Sequence, residues 1–199
     1  MFTGLIETTG RLQAIEKSQA GYRLTIESDL VKETKIGDSI AVNGICLTVT
    51  TQTAATFTVD VMGQTLGTTN VKAYKKDQVV NLERAMLATS RLDGHMVSGH
   101  VDGTGRVTAI RKDGFAIKIW IRPSTIPTMR YILPKGSVAI DGISLTVADV
   151  RGTEFMVSII PHTQQETTLQ HIKVGSKVHI ETDMIAKYVE RMLTWHKEV

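Results

Sequence analysis

MFTGLIETTGRLQAI at residues 1–15 returns as MVSGHVDGTGRVTAI at residues 96–110, with seven identities in fifteen positions. Further along, SIAVNGICLTV at 39–49 returns as SVAIDGISLTV at 137–147 with seven identities in eleven, and the differences (Ile/Val, Val/Ile, Asn/Asp, Cys/Ser) are all close in shape. A third block aligns Phe57 with Phe155, Thr65 with Thr163 and Glu83 with Glu181. Order and spacing are kept from block to block, so a whole half-chain is duplicated, over roughly 1–91 and 96–183. A length of 199 residues leaves the domain count open; the repeat sets it at two.

Each half reads as short β-branched or alternating runs, in the first half 23–27, 40–50, 56–61 and 79–83, punctuated by Gly4, Gly10, Gly37 and Gly44. Several short strands in under about a hundred residues point to a small sandwich or barrel, and a closed barrel is preferred because it leaves no strand edge exposed. The tail differs. Met184, Ile185, Tyr188, Val189, Met192 and Leu193 recur at helical spacing, with Asp183 placed to cap the helix. This helix has no copy in the first half, and its apolar stripe is expected to pack against another subunit or across the two barrels. The expected organisation is a barrel over 1–95, a barrel over 96–183 and an oligomerisation helix over 184–199.

Composition excludes several classes. With 42% hydrophobic and 22% charged residues the chain is neither disordered nor fibrous, and a scattered net charge of +3 is no nucleic-acid footprint. A nucleic-acid-binding small barrel also needs an aromatic stacking platform, against 5% aromatics here. The single cysteine, Cys46, cannot form an intrachain disulfide, and the first residues carry neither a basic start nor a long apolar run. A cytoplasmic protein without a membrane anchor is expected.

The chemistry-bearing residues have competing explanations. A cysteine within an alternating strand is ordinarily a small core residue. The repeat partner of Cys46 is Ser144, however, so the two halves present a thiol and a hydroxyl at matching positions, both able to hydrogen-bond or act as nucleophiles. His95 and His100 are five residues apart with no cysteine or carboxylate cluster to complete a shell, so no metal is expected. His100 aligns with Leu5 and so breaks the repeat; it suits proton transfer and equally a hydrogen-bonding role on the surface or in the core. Thr48, Thr65, Thr146 and Thr163 form two matched pairs that serve strand packing or line two related polar pockets. The glycines, Gly103 and Gly105 included, read as turns rather than a phosphate loop. Asp183 reads as a helix cap or as a catalytic carboxylate.

MFTG, NGICLTV, GHMVSGHVDGTG, DGISLTV, PHTQQETTL and DMIAKYVERM, in this order over nearly the whole chain, resemble the riboflavin synthase α-chain family. Gln64, Gly67 and Asp93 depart from its usual pattern. The resemblance implies an all-β fold of two duplicated six-stranded Greek-key barrels plus a C-terminal helix, a homotrimer assembled through that helix, and active sites between barrels of neighbouring subunits. It implies one 6,7-dimethyl-8-ribityllumazine bound per barrel and a four-carbon transfer between two such molecules without a cofactor. Lumazine synthase is a partner that the resemblance allows. Catalytic positions carried over are Cys46, His100, Ser144 and Asp183. Substrate-binding positions are Phe2, Thr3, Gly4, Ile6, Ser39, Thr48, Met62, Thr65, Val101, Lys135, Thr146, Ile160 and Thr163. The rival within the same fold is a lumazine- or flavin-binding antenna protein without catalysis, whose members lose parts of MFTG, CLTV and SGH.

Overall fold

The computed structural model describes residues 1–198. The first half supplies β1 (Thr8–Lys17), β2 (Gly21–Glu27), β3 (Ser39–Val42), β4 (Ile45–Gln52), β5 (Thr56–Met62) and β6 (Val79–Arg84). They close in the order β1-β2-β5-β4-β3-β6. Since β3, β4 and β5 follow one another as hairpins and β6 returns beside β3, the barrel is a Greek key. The second half repeats this with β7 (Gly103–Asp113), β8 (Ala116–Pro123), β9 (Ser137–Ile140), β10 (Ile143–Arg151), β11 (Glu154–Ile159) and β12 (Lys177–Thr182), also closed. Short helices α1 (Gly63–Thr68) and α2 (Pro161–Glu166) follow β5 and β11, and α3 (Met184–Glu198) ends the chain. The two duplicated all-β barrels and the terminal helix agree with the expectation from sequence. No helix among the described residues is long and apolar enough to cross a membrane.

Two local readings are corrected. The run 40–50 is two strands, because Asn43 (φ +46) and Gly44 (φ +78) both take left-handed backbone and turn the chain in a two-residue hairpin. Gly10, Gly103 and Gly105 lie inside strands β1 and β7 rather than at turns.

Each barrel interior is filled by its own side chains, among them Leu12, Ile26, Phe57 and Leu82 in one and Ile119, Ile121, Phe155 and Ile180 in the other. Six strands enclose only enough space for side chains, so any ligand must sit outside the barrel wall. The alternation that points Ile40 and Leu47 inward places Ser39, Ala41, Cys46 and Thr48 on the outer face. A third apolar cluster, Phe2, Ala41, Val97 and Ala139, lies between the barrels, with Phe2 and Val97 exchanging backbone hydrogen bonds at 2.8 and 3.1 Å.

The barrels meet at a joint with pseudo-twofold symmetry. The Asn43-Gly44 turn abuts the Asp141-Gly142 turn so closely that a Cβ on Gly142 would stand 2.8 Å from the Gly44 nitrogen. Asn43 Oδ1 accepts the Asn81 amide and Asp141 Oδ1 accepts the His179 amide, both at 2.7 Å. Across the joint, Asn81 Nδ2 donates to the Asp141 carbonyl at 2.9 Å, and His179 Nδ1 bonds the Asn43 carbonyl at 2.8 Å. Asn81 Oδ1 accepts the Thr168 amide, and His179 Nε2 accepts the Asn70 amide. His179 therefore does the work of Asn81 in the other half, as a neutral imidazole with its hydrogen on Nδ1. Burial holds its pKa down at about 4.

Candidate active site

The opening segment of each half leaves its own barrel and docks on the other. Gly99, after β6 and before β7, presents its carbonyl to the Cys46 amide at 2.9 Å, and Val101 packs against the first barrel's core. Symmetrically, the Gly4 carbonyl accepts the Ser144 amide at 2.7 Å and Ile6 packs against the second barrel's core. Left-handed backbone at Gly4 (φ +78) and Gly99 (φ +80) makes these docks possible, and there is no room for a side chain: a Cβ would lie 2.6 Å from Ser144 Cβ and 2.5 Å from Cys46 Cβ. The Cys46–Ser144 equivalence is thus a pair of docks, each made from one barrel's strand and the other half's leading segment.

At the first dock the half-buried thiol of Cys46 shares the outer face of β3 and β4 with Ser39 and Thr48, while His100 stands exposed directly after Gly99. At the second dock Ser144 and Thr146 share the outer face of β10, and the Ser144 hydroxyl bonds His95 Nδ1 at 2.7 Å. In the sequence His95 stands out only as a metal-ligand candidate beside His100. It precedes Met96, the match of Met1, so it has no first-half counterpart to draw attention to it. Burial keeps its pKa below the ordinary imidazole value, against the pull of Asp183 and Glu181, and among the described residues its buried Nε2 has no hydrogen-bond partner. A neutral imidazole against a serine hydroxyl can fix which way that hydroxyl points and exchange a proton with it. Among the described residues no three His, Cys, Asp or Glu side chains cluster closely enough to hold a metal ion.

Met62 and Ile160 are exposed at the ends of β5 and β11; Thr65 and Thr163, half-buried in α1 and α2, accept the Thr69 and Thr167 hydroxyls through their carbonyls. Phe2 is wholly buried between the barrels, and Thr3 is buried with its hydroxyl on Glu83, so both hold the segment in place. Lys135 is exposed in the turn before β9, where its amide donates to the Val147 carbonyl. Asp183 Oδ1 accepts the Ile185 amide at 2.9 Å, which is the capping bond. A cavity of about 640 Å³ opens beside Thr3, Ser39 and Glu83, and one of about 530 Å³ lies beside Ser137 and Asp183 under α3. That helix is tied down by Lys187 to Asp102 at 2.6 Å and by Tyr131 and Arg130 to Glu190. Its Tyr188, Met192, Leu193 and Trp195 remain exposed.

Comparison with known proteins fits this geometry. The profile of the lumazine binding domain matches residues 3–85 and 98–183. The chain is 50% identical over 196 residues to a riboflavin synthase of Photobacterium phosphoreum, covering 97% of this chain and 89% of that one. It is 46% identical over 194 residues to a riboflavin synthase of Bacillus subtilis, covering 97% and 90%. Among solved structures, LumP complexed with riboflavin superposes with a TM-score of 0.84 at 24% identity, over 92% of this chain and 99% of that one, a likeness of fold.

Proposed function

Because the chain belongs to the riboflavin synthase family, built from two lumazine-binding domains, we propose that it converts two molecules of 6,7-dimethyl-8-ribityllumazine into riboflavin and 5-amino-6-ribitylamino-2,4-pyrimidinedione. The observation that carries this reading is the pair of matching docks, Cys46 with Gly99 and Ser144 with Gly4, which offers two related outer-wall sites for two copies of one ligand. One copy gives up a four-carbon unit and the other receives it. The donor's C7 methyl is acidic because its carbanion delocalises into the ring, and the acceptor is electrophilic at its own C7. Holding the two rings face to face is then most of the catalysis, since such orientation is worth about 10⁵ to 10⁸ M in effective concentration. Cys46 or a water activates the acceptor's C7, His100 moves a proton, and Ser144, steadied by His95, orients the donor. Thr48, Met62, Thr65 and Val101 line one site, and Ile6, Thr146, Ile160 and Thr163 the other.

Incubation with 6,7-dimethyl-8-ribityllumazine alone, followed by absorbance and fluorescence, is expected to yield riboflavin catalytically. His100→Ala is expected to lower turnover roughly 10²-fold, the low end of what a positioned proton-transfer group contributes. Tight lumazine binding without turnover in the parent chain would instead place it with the antenna proteins.

The exposed apolar side chains of α3 support a trimer built on this helix; a cytoplasmic setting and lumazine synthase as a further partner rest on the family alone. Deleting residues 184–199 is expected to convert a trimer to monomers in light scattering, and a trimer that survives the deletion would refute this role.

A further inference from the structure

We propose that Glu83 and Glu181 are positioning residues that register the reactive groups of the opposite barrel, each working through the segment that crosses between them. Both carboxylates are buried, at 4% and 3% exposure, and no cation pairs with either among the described residues. Glu181, on β12 of the second barrel, instead accepts the Ser98 amide at 2.7 Å, the Ser98 hydroxyl at 2.7 Å and the Gly99 amide at 3.0 Å. Glu83, on β6 of the first, accepts the Thr3 amide at 2.6 Å, the Thr3 hydroxyl at 2.7 Å and the Gly4 amide at 3.0 Å.

A buried carboxylate without a counter-ion is costly unless hydrogen-bonded, and a hydrophobic residue would fill the same space at less risk. What the carboxylate adds is direction. Its two oxygens gather successive amides of one segment, and the chain can satisfy both only in a single register. In that register the Gly99 carbonyl lands on Cys46 and His100 follows at the first dock; the Gly4 carbonyl lands on Ser144 and Ile6 follows at the second. Influence therefore crosses over: Glu181 of the second barrel sets the geometry at Cys46, and Glu83 of the first sets it at Ser144. The consequence for turnover rests on the proposed function, whereas the crossed positioning itself does not.

Cys46 is the only cysteine, so its alkylation by iodoacetamide in the intact chain reports on the first dock without any turnover. Glu181→Gln exchanges one acceptor oxygen for an NH₂ that opposes the segment's donors. It is expected to speed Cys46 alkylation roughly tenfold, the worth of one charge-assisted hydrogen bond. Glu83→Gln is expected to leave the alkylation rate near that of the parent chain while lowering turnover. If Glu181→Gln fails to fold, Ser98→Ala, which removes the hydroxyl that donates to Glu181 and accepts the His100 amide, carries the test with a smaller increase, against Thr3→Ala, which removes the matching donor to Glu83 and acceptor of the Leu5 amide, as its counterpart. Equal alkylation rates for the two sides, or no change on either, would overturn the proposal. Crossed alkylation in a chain that makes no riboflavin would uphold the positioning and sink only the function.

Discussion

Gly142→Ala is expected to destabilise the chain by about 2–5 kcal/mol, combining the penalty for an L side chain in left-handed backbone with overpacking that has no rotamer to escape into. Gly142 has φ +82, and a Cβ there meets the Gly44 nitrogen and Cα at 2.8 and 2.9 Å. These atoms are backbone, in a turn locked by the Asn43 and Asp141 hydrogen bonds, so relief requires the barrels to move apart. Gly175 is the control, because its φ of +92 carries the same conformational strain with nothing among the described residues within 4 Å of the added carbon. Denaturant titrations of the two variants separate the effects, and Gly142→Ala costing no more than Gly175→Ala would show that the turns do not bear on each other as described.

Asp141→Asn is expected to gain stability over the parent chain as pH rises from about 4 to 7, by up to about 4 kcal/mol. The carboxyl of Asp141 is pushed up to about 7 by burial, outweighing the hydrogen bond from the His179 amide. The folded chain thus keeps a proton there that the unfolded chain has already lost above 3.8, and this contribution to stability fades as pH climbs to 7. His179 works in the opposite sense. Its folded pKa of about 4 lies below the unfolded 6.5, so its contribution is present above 6.5 and lost as pH falls toward 4. In the parent the two slopes largely cancel. Asn at 141 reproduces Asn43 and keeps the acceptor for the His179 amide, leaving the histidine slope alone. His179→Asn, reproducing Asn81, leaves the aspartate slope alone and gains over the parent toward acid. Urea midpoints at pH 5 and pH 8 decide it, and parallel pH profiles for all three chains would refute the titrating joint.

Much of this architecture was legible in the chain. The repeat gave two barrels, the helical spacing after Asp183 gave α3, and the Cys46/Ser144 pair, the chemistry-bearing difference among the four in its block, pointed to matching polar sites on the two halves. The Asn43-Gly44 hairpin is masked despite its turn signal, because the alternating run on both sides of it reads as one strand. Glu83 and Glu181 aligned with each other, yet nothing suggested their role, since their partners are backbone amides that a sequence does not display. The crossing of segments was hidden for a related reason. Aligning the halves shows what corresponds to what, and is silent about which barrel each piece lies on. His95 was invisible to symmetry altogether.

The exchange of leading segments also orders the events of folding. Thr3 cannot be clamped until Glu83 has been synthesised, Phe2 cannot bridge until Val97 follows, and Gly4 has no dock before Ser144 exists. Contacts of such long sequence separation carry a loop-closure cost that is met before they reward it, and they slow folding. The leading segment of the first half, though made before both barrels, is therefore among the last parts to be fixed, and the second barrel must be built before that segment comes to rest.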